Sequence, residues 1–352
     1  MVQIRLPIDE VEKYLEESVR SVLGQTEPSF EIILVDDCSP DSSPKICDRL
    51  AQEDARIKVL HLEKNVGLSE ARNTGFKHVR GEYVFFMDSD DTIDSDLLKS
   101  FREGIKKNPA EVTIFGIKEQ YYNYEAVLEN EVELLYGQEL YLTDKRSVRK
   151  EAIELENKTF LGYAWNKIYN VEYLRKRNIT FNNITLIEDI LFNIEVFRDL
   201  ESLNILNLAP YHYKKRMNQS LTAKFVADYF VLHRKRIQSL YDLHNEWGML
   251  TDYVKNVLAN LFVRYIFSAL QRNCDKRANM NHALRKKFLH DIYEDELFIK
   301  LIPYANSENK TVAIMCAALS AKKIEKALTF GRIIFIIKEK LPILFSRLKQ
   351  KK

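Results

Sequence analysis

The sequence predicts an α/β fold, a mainly parallel central sheet followed by a helical C-terminal region. Three observations carry that expectation. Apolar runs of strand length alternate with segments of helical spacing from Val2 to about Ile117. Two of those runs end abruptly in acidic clusters. From about Asp228 to Leu301 the apolar spacing is helical throughout, with no second strand–helix series. Strands that alternate with helices need crossover connections, which put helices on both faces of a parallel sheet.

The elements follow in order. Residues 2–6, 32–35, 57–62, 83–87 and 112–115 have strand length, whereas Val11, Leu15, Val19, Val22 and Leu23 repeat at helical spacing, as do Ile46 and Leu50. Asp9 is expected to cap the first helix and Ser69 a short helix beginning near Glu70. After Lys118 the pattern loosens into a Tyr- and Glu-rich stretch to Tyr141, then a charged segment to Glu156. The expected division is a first domain over residues 1–225, with halves 1–117 and 118–225, and a helical region over 226–352.

With 352 residues, 46% hydrophobic and 30% charged, the chain is long enough for one large domain or two smaller ones. The net charge of +2 hides an asymmetry. Lys322 to Lys352 carries ten Lys and Arg against only Glu325 and Glu339, so the rest of the chain is net acidic. The four cysteines show neither metal-ligand spacing nor a disulfide-rich pattern, which argues against zinc and suits a reducing compartment. No secretory leader or apolar run of membrane-spanning length is expected, and the basic tail lacks a nucleic-acid fold signature.

Val84 to Met87 reads as a buried strand, yet it ends in Asp88, Ser89, Asp90 and Asp91. An ionised carboxylate buried without a partner is costly, so the cluster belongs at an open strand end, where a cation or a metal–polyphosphate complex neutralises it. In open parallel sheets ligands bind at that edge. Glu31 to Asp37 is a second strand ending in acids, and Asp36 or Asp37 can accept from the N–H and O–H donors of a nucleotide. An Asx turn with a helix cap explains Asp41 and Ser43 equally well. Between the two acidic ends, Gly67 allows close backbone approach and Arg72 supplies a guanidinium near a helix start, both suited to a phosphate.

Taken together, LVDDCSPDSS (34–43), NVGLSEARNTGF (65–76) and GEYVFFMDSDD (81–91) strongly resemble the inverting glycosyltransferases of family 2, which have a GT-A nucleotide-sugar-binding fold. The resemblance continues through Ala164 to Tyr169, Ile187 to Phe192 and Tyr211 to Ser220, and covers about residues 1–225. It implies that Asp36 or Asp37 meets the donor base, that Asp88 meets the ribose or the metal, and that Asp90 holds Mn²⁺ or Mg²⁺ at the diphosphate. Pro7, Ser89 and Arg72 fall in the same donor site, and Lys215, Arg216 and Ser220 fall where the family reaches the donor phosphates. Asp189 matches the catalytic base, with Glu188 supporting it or orienting the acceptor, and Trp165 and Asn166 shape the acceptor pocket. The residue types suit that chemistry. Departure of a nucleoside diphosphate builds negative charge that a carboxylate-held cation and basic side chains stabilise, while a positioned base takes the acceptor proton.

The chain departs from the family at Pro7-Ile8-Asp9-Glu10, where Asp9 stands in place of the aromatic that stacks on the base and Glu10 in place of an amide. Such a base contact is worth about 1–3 kcal/mol in nucleic-acid proteins, and Tyr14 is a nearby ring able to replace it. Cys38 replaces a glycine, Glu70 a small residue, and Arg5 puts a cation in a strand expected to be buried. The expected function is transfer of a sugar from a nucleotide donor, a UDP-sugar, to a glycan or lipid-linked acceptor. One alternative is a non-catalytic relative. Another is a haloacid-dehalogenase-like phosphotransferase with Asp88 as nucleophile, ranked lower because strand–helix units precede that motif. Residues 322–352, with Ile, Leu and Phe among basic residues and Pro342 as a bend, read as a basic amphipathic helix. That implies a cytoplasmic protein resting on the inner membrane face.

Overall fold

The computed structural model describes residues 1–216 and 225–340, with backbone alone for 339 and 340. Ser220, Pro342 and the tail beyond residue 340 therefore lie outside the described residues. The chain divides into two compact units, Met1–Leu221 and Thr222–Lys352.

The first unit is α/β. Its elements are β1 (Val2–Ile8), α1 (Leu15–Leu23), β2 (Phe30–Asp36), α2 (Ser43–Glu53), β3 (Ile57–His61), α3 (Leu68–Lys77), β4 (Tyr83–Phe86), β5 (Thr92–Ile93), α4 (Leu97–Lys107), β6 (Val112–Tyr122), β7 (Leu128–Leu134), β8 (Leu140–Leu142), α5 (Lys145–Asn157), β9 (Lys167–Asn170), α6 (Val171–Lys176), α7 (Glu188–Arg198) and β10 (Leu203–Arg216). The sheet order is β3-β2-β1-β4-β9-β6-β10-β5. The first four neighbours are parallel, as are β6 and β10. β9 enters antiparallel between β4 and β6, and so joins the two parallel blocks.

Side chains alternate across the strands and set both faces. Ile4, Leu6 and Ile8 of β1 join Leu15, Val19 and Val22 of α1 in the main core. On the opposite face Ile33 and Val35 pack with Ala71 of α3. Gly75 lets α3 come this close, because a Cβ there would sit 2.9 Å from Val35 Cγ2. Arg5 lies fully buried on this side, and burial depresses its pKa to about 9.

Both expected helix caps differ from what forms. Helix α1 starts after Tyr14, and Asp9 instead accepts from Asn65 Nδ2 at 3.3 Å. Helix α3 starts after Gly67, whose φ of 84° suits glycine, so Ser69 lies inside the first turn.

The second unit is helical, with α8 (Tyr229–Glu246), α9 (Asp252–Arg272), α10 (His282–Glu294), α11 (Glu296–Leu301), α12 (Lys310–Ser320) and α13 (Ile324–Lys340). Leu258, Phe262, Ile266, Phe267 and Leu270 of α9 are buried, and Gly331 of α13 seats against Leu270. Side-chain caps start several of these helices: Thr251, Asn281, Asp295 and Asn309 each accept a backbone N–H from the first turn. Among the described residues no helix is long and apolar enough to cross a membrane.

Candidate active site

The run-out of β4 is held from both sides. Ser89 Oγ donates to the Pro7 carbonyl at 2.7 Å, tying the acidic loop to β1. Asp91 is buried; one oxygen accepts from Tyr211 Oη and the other from the Lys214 N–H, both at 2.8 Å. Burial, with Asp90 and Asp88 nearby, raises its pKa well above the usual carboxylate value. Asp91 thus anchors the loop to β10 and leaves Asp88 and Asp90 as the more accessible acids.

Asp88 meets Arg72. The Arg72 side chain is 2% exposed and splits its guanidinium between two carboxylates, with Nη2 donating to Asp88 Oδ1 at 2.9 Å and Nη1 to Asp189 Oδ1 at 2.6 Å. It also lies 5.1 Å from the Phe181 ring centroid. Burial opposes its charge, but Asp189, Asp88 and Glu188 outweigh burial and raise its pKa. Burial pushes the Asp88 carboxyl up to about 6, with Asp189 and Asp90 adding to the shift and Arg72 opposing it.

Asp189 lies in the first turn of α7, where the helix end favours negative charge. Its second oxygen accepts from the Ala164 N–H at 2.9 Å. A carboxylate offers about four lone-pair sites, so the two bonds leave room for an incoming hydroxyl. Glu188 opens the same helix, and burial, reinforced by Asp189, pushes its pKa up to about 7.

Arg216, at the end of β10, grips Asp90. Nη1 donates to Asp90 Oδ2 at 3.0 Å and Nη2 to the Asp90 carbonyl at 2.9 Å, while the guanidinium lies 3.8 Å from the Tyr14 ring centroid. Tyr14, the ring expected to replace the missing base stacker, is thus packed against Arg216. Lys215 pairs with Glu119 at 2.5 Å. Burial raises the Asp90 pKa against the pull of Arg216.

Asp36 and Asp37 are buried and engaged by the chain itself. Asp36 accepts from Ser39 N–H at 3.0 Å and lies 2.7 Å from His61 Nδ1. Asp37 receives the Val66 and Gly67 N–H groups at 2.7 and 2.8 Å, which fixes the loop that carries Arg72 into place.

Trp165 is 4% exposed and stacks between Tyr163 and Tyr211, with ring centroids 4.4 and 4.6 Å away. Asn166 is buried and donates to the Phe160 carbonyl at 3.3 Å. Lys167, which the sequence reading passed over, is wholly buried among carbonyls; its signal is a cation inside the apolar, strand-like run Lys167-Ile168-Tyr169. Asp91 with Tyr211 was likewise not singled out, since that pairing links residues far apart in the chain.

Among the described residues no group of three or more His, Cys, Asp or Glu could hold a metal by itself. Asp88 and Asp90 nevertheless fit Mg²⁺ or Mn²⁺, hard ions that are commonly held by one or two carboxylates plus substrate phosphates and water.

Residues 7–177 match the model of glycosyl transferase family 2. Over 339 residues the chain is 28% identical to an uncharacterized glycosyltransferase, EpsJ, of Bacillus subtilis, with 96% of this chain and 94% of that one covered. It is 38% identical to the glycosyltransferase GlyG of Streptococcus pneumoniae over 125 residues, 36% of this chain and 40% of that one. In three dimensions it resembles Staphylococcus aureus TarS 1–349, solved in complex with UDP-GlcNAc, at a TM-score of 0.63 and 22% identity, covering 94% of this chain and 90% of that one. The phosphotransferase alternative finds no support in these likenesses. Residues 7–177 form a glycosyltransferase family 2 domain of the GT-A fold, and the chain is a glycosyltransferase.

Proposed function

We propose that the chain is an inverting glycosyltransferase that moves a sugar from a UDP-sugar to a hydroxyl of a glycan or lipid-linked acceptor. The observation that carries this reading is Arg72 bridging Asp88 and Asp189, which puts a donor-side acid at the end of β4 and a candidate base on α7 into one buried cluster. In the reaction the acceptor oxygen attacks the anomeric carbon, Asp189 takes the hydroxyl proton, and the bond to the diphosphate oxygen breaks with its electron pair leaving on UDP. Attack and departure lie on opposite faces of the sugar, so the centre inverts. Asp88 and Asp90 would hold Mg²⁺ or Mn²⁺, which supplies charge neutralisation at the leaving diphosphate when bound. Arg216 adds a guanidinium beside Asp90 that suits a phosphate oxygen. Glu188, whose pKa burial and Asp189 raise to about 7, keeps a protonated fraction at neutral pH that can donate to an acceptor hydroxyl and orient it.

The UDP assignment draws on the TarS complexes with UDP-GlcNAc and with UDP. Asp36 and Asp37 keep lone pairs for the base, Pro7 and Ser89 frame the loop, and Trp165 and Asn166 hold the wall beside Asp189. Contact with an anionic membrane surface is part of the proposal. An open cavity of about 540 Å³ in the second unit is lined by Lys286, His290, Lys322, Lys323 and Lys326 together with Glu325, which pairs with Lys286, and Ile333 and Ile336 are exposed further along α13.

The test is transfer across a nucleotide-sugar panel with and without Mn²⁺. Asp189→Asn is expected to keep UDP binding, read as a thermal shift, and to lose about 10²- to 10⁴-fold in turnover. Full transfer by Asp189→Asn would remove the base assignment. No thermal shift with any nucleoside diphosphate would favour the non-catalytic alternative.

A further inference from the structure

Lys167 is fully buried at the start of β9, and its ammonium touches only oxygen acceptors. Nζ lies 2.7 Å from the Phe160 carbonyl, 3.2 Å from that of Leu161, 2.5 Å from that of Tyr163 and 2.8 Å from Asn166 Oδ1. Four acceptors and no donor suit the protonated amine, which carries three N–H bonds. Burial opposes that charge and lowers the pKa to about 7, while Asp189 and Glu156 act in the other direction.

The carbonyls that Lys167 collects all belong to the segment leading to Ala164, whose N–H reaches the Asp189 carboxylate. Other buried groups pin the same segment. Asn193 of α7 donates to the Tyr163 carbonyl at 3.0 Å, and Tyr169 Oη donates to Asn193 Oδ1 at 2.9 Å, with the Ala164 carbonyl 3.3 Å away as the other acceptor in reach of its one proton. Tyr163 and Trp165, the stacked rings beside the base, ride on this segment. A loop would satisfy these carbonyls more cheaply in water than by burying an amine, so a purely structural account leaves the cost of the lysine unexplained.

We propose that Lys167 is a positioning residue for glycosyl transfer: it gathers residues 160–164 into one fixed turn, so that the Ala164 N–H and the Tyr163–Trp165 wall hold the Asp189 carboxylate and the acceptor in register. This rests on Asp189 acting as the base. It concerns turnover rather than donor affinity, because the segment's direct bond to the site is the Ala164 N–H on Asp189. Misplacement of a reacting group by about 1 Å costs about 10²-fold, which sets the scale of the expected loss.

The experiment compares Lys167→Met, Asn193→Ala and a core control, Leu50→Ala, in the full chain. Leu50 is a wholly buried residue of α2 that makes no hydrogen bond to this loop through its side chain. All three are assayed well below their melting temperatures, for transfer kcat, donor KM and the thermal shift with UDP. Lys167→Met is expected to lower kcat about 10- to 100-fold and Asn193→Ala several-fold, with donor KM and UDP shift unchanged. Leu50→Ala is expected to lower the melting temperature while keeping kcat. Should Lys167→Met fail to accumulate as folded protein, Lys167→Gln, which keeps two donors, is expected to fold and show a smaller loss. Near-normal kcat in Lys167→Met or Lys167→Gln together with Asn193→Ala overturns the inference, as does an equal kcat loss in Leu50→Ala. If the unaltered chain transfers no sugar, it is the enzyme reading that fails instead.

Discussion

Arg72 carries the cost and the benefit of this site at the scale of single residues. Its guanidinium is buried with two carboxylates, so truncating it strands both acids in a poorly solvated place. Arg72→Met is expected to destabilise the fold by about 3–5 kcal/mol in chemical denaturation, the usual cost of breaking a buried pair; a loss under about 1 kcal/mol would show the pair to be worth no more than an exposed one. Glu188 makes a second prediction, with a defined sign. Its folded-state pKa lies above the ordinary carboxylate value, so its stabilising contribution is present at low pH and is lost as pH rises through about 7. Glu188→Gln is therefore expected to raise the melting temperature at about pH 8, with the gain shrinking steadily toward about pH 5. A gain independent of pH would mean that ionisation of Glu188 is not the cause. The acids themselves were legible in the sequence as residue types at strand and helix ends. Their partners were not, because hydrophobic periodicity carries no information about which distant cation a carboxylate meets.

At the scale of elements, the site depends on how strands are seated. The parallel block β3-β2-β1-β4 was readable from short apolar runs between helical patterns. The antiparallel insertion of β9 was not, since Lys167-Ile168-Tyr169-Asn170 is short and opens with a buried cation rather than an apolar residue. Helix caps were misread for a similar reason. Asp9 and Ser69 have capping chemistry, but the entry angles set by Tyr14 and Gly67 place the helix starts elsewhere. Gly116 of β6 shows how tightly the second block is packed. A Cβ there would sit 2.4 Å from the Leu134 carbonyl oxygen and 2.9 Å from that of Leu208, both backbone atoms that cannot rotate away. Gly116→Ala is expected to cost at least the upper end of the usual overpacking range of about 1–3 kcal/mol and to lower the melting temperature accordingly. A melting temperature equal to that of the unaltered chain would mean that β7 gives way freely.

For the whole molecule, charge asymmetry carries the prediction. The lysines at the start of α13 and the exposed Ile333 and Ile336 give the second unit a basic, partly apolar surface. Replacing Lys322, Lys323 and Lys326 together by Glu is expected to abolish sedimentation with anionic vesicles, and binding by the unaltered chain is expected to weaken with salt. Vesicle binding that survives the triple change would remove the membrane proposal. The sequence by itself determined the α/β class, the mainly parallel sheet, the helical second region and the family motifs, because strand and helix periods and acidic strand ends are local properties. Only the tertiary structure decided that Arg72 joins Asp88 to Asp189, that Arg216 lies between Asp90 and Tyr14, and that Lys167 binds the turn beside Asp189. Each of those pairings balances the cost of burying a charge against a partner brought from elsewhere in the fold, and that balance exists only once the chain has closed on itself.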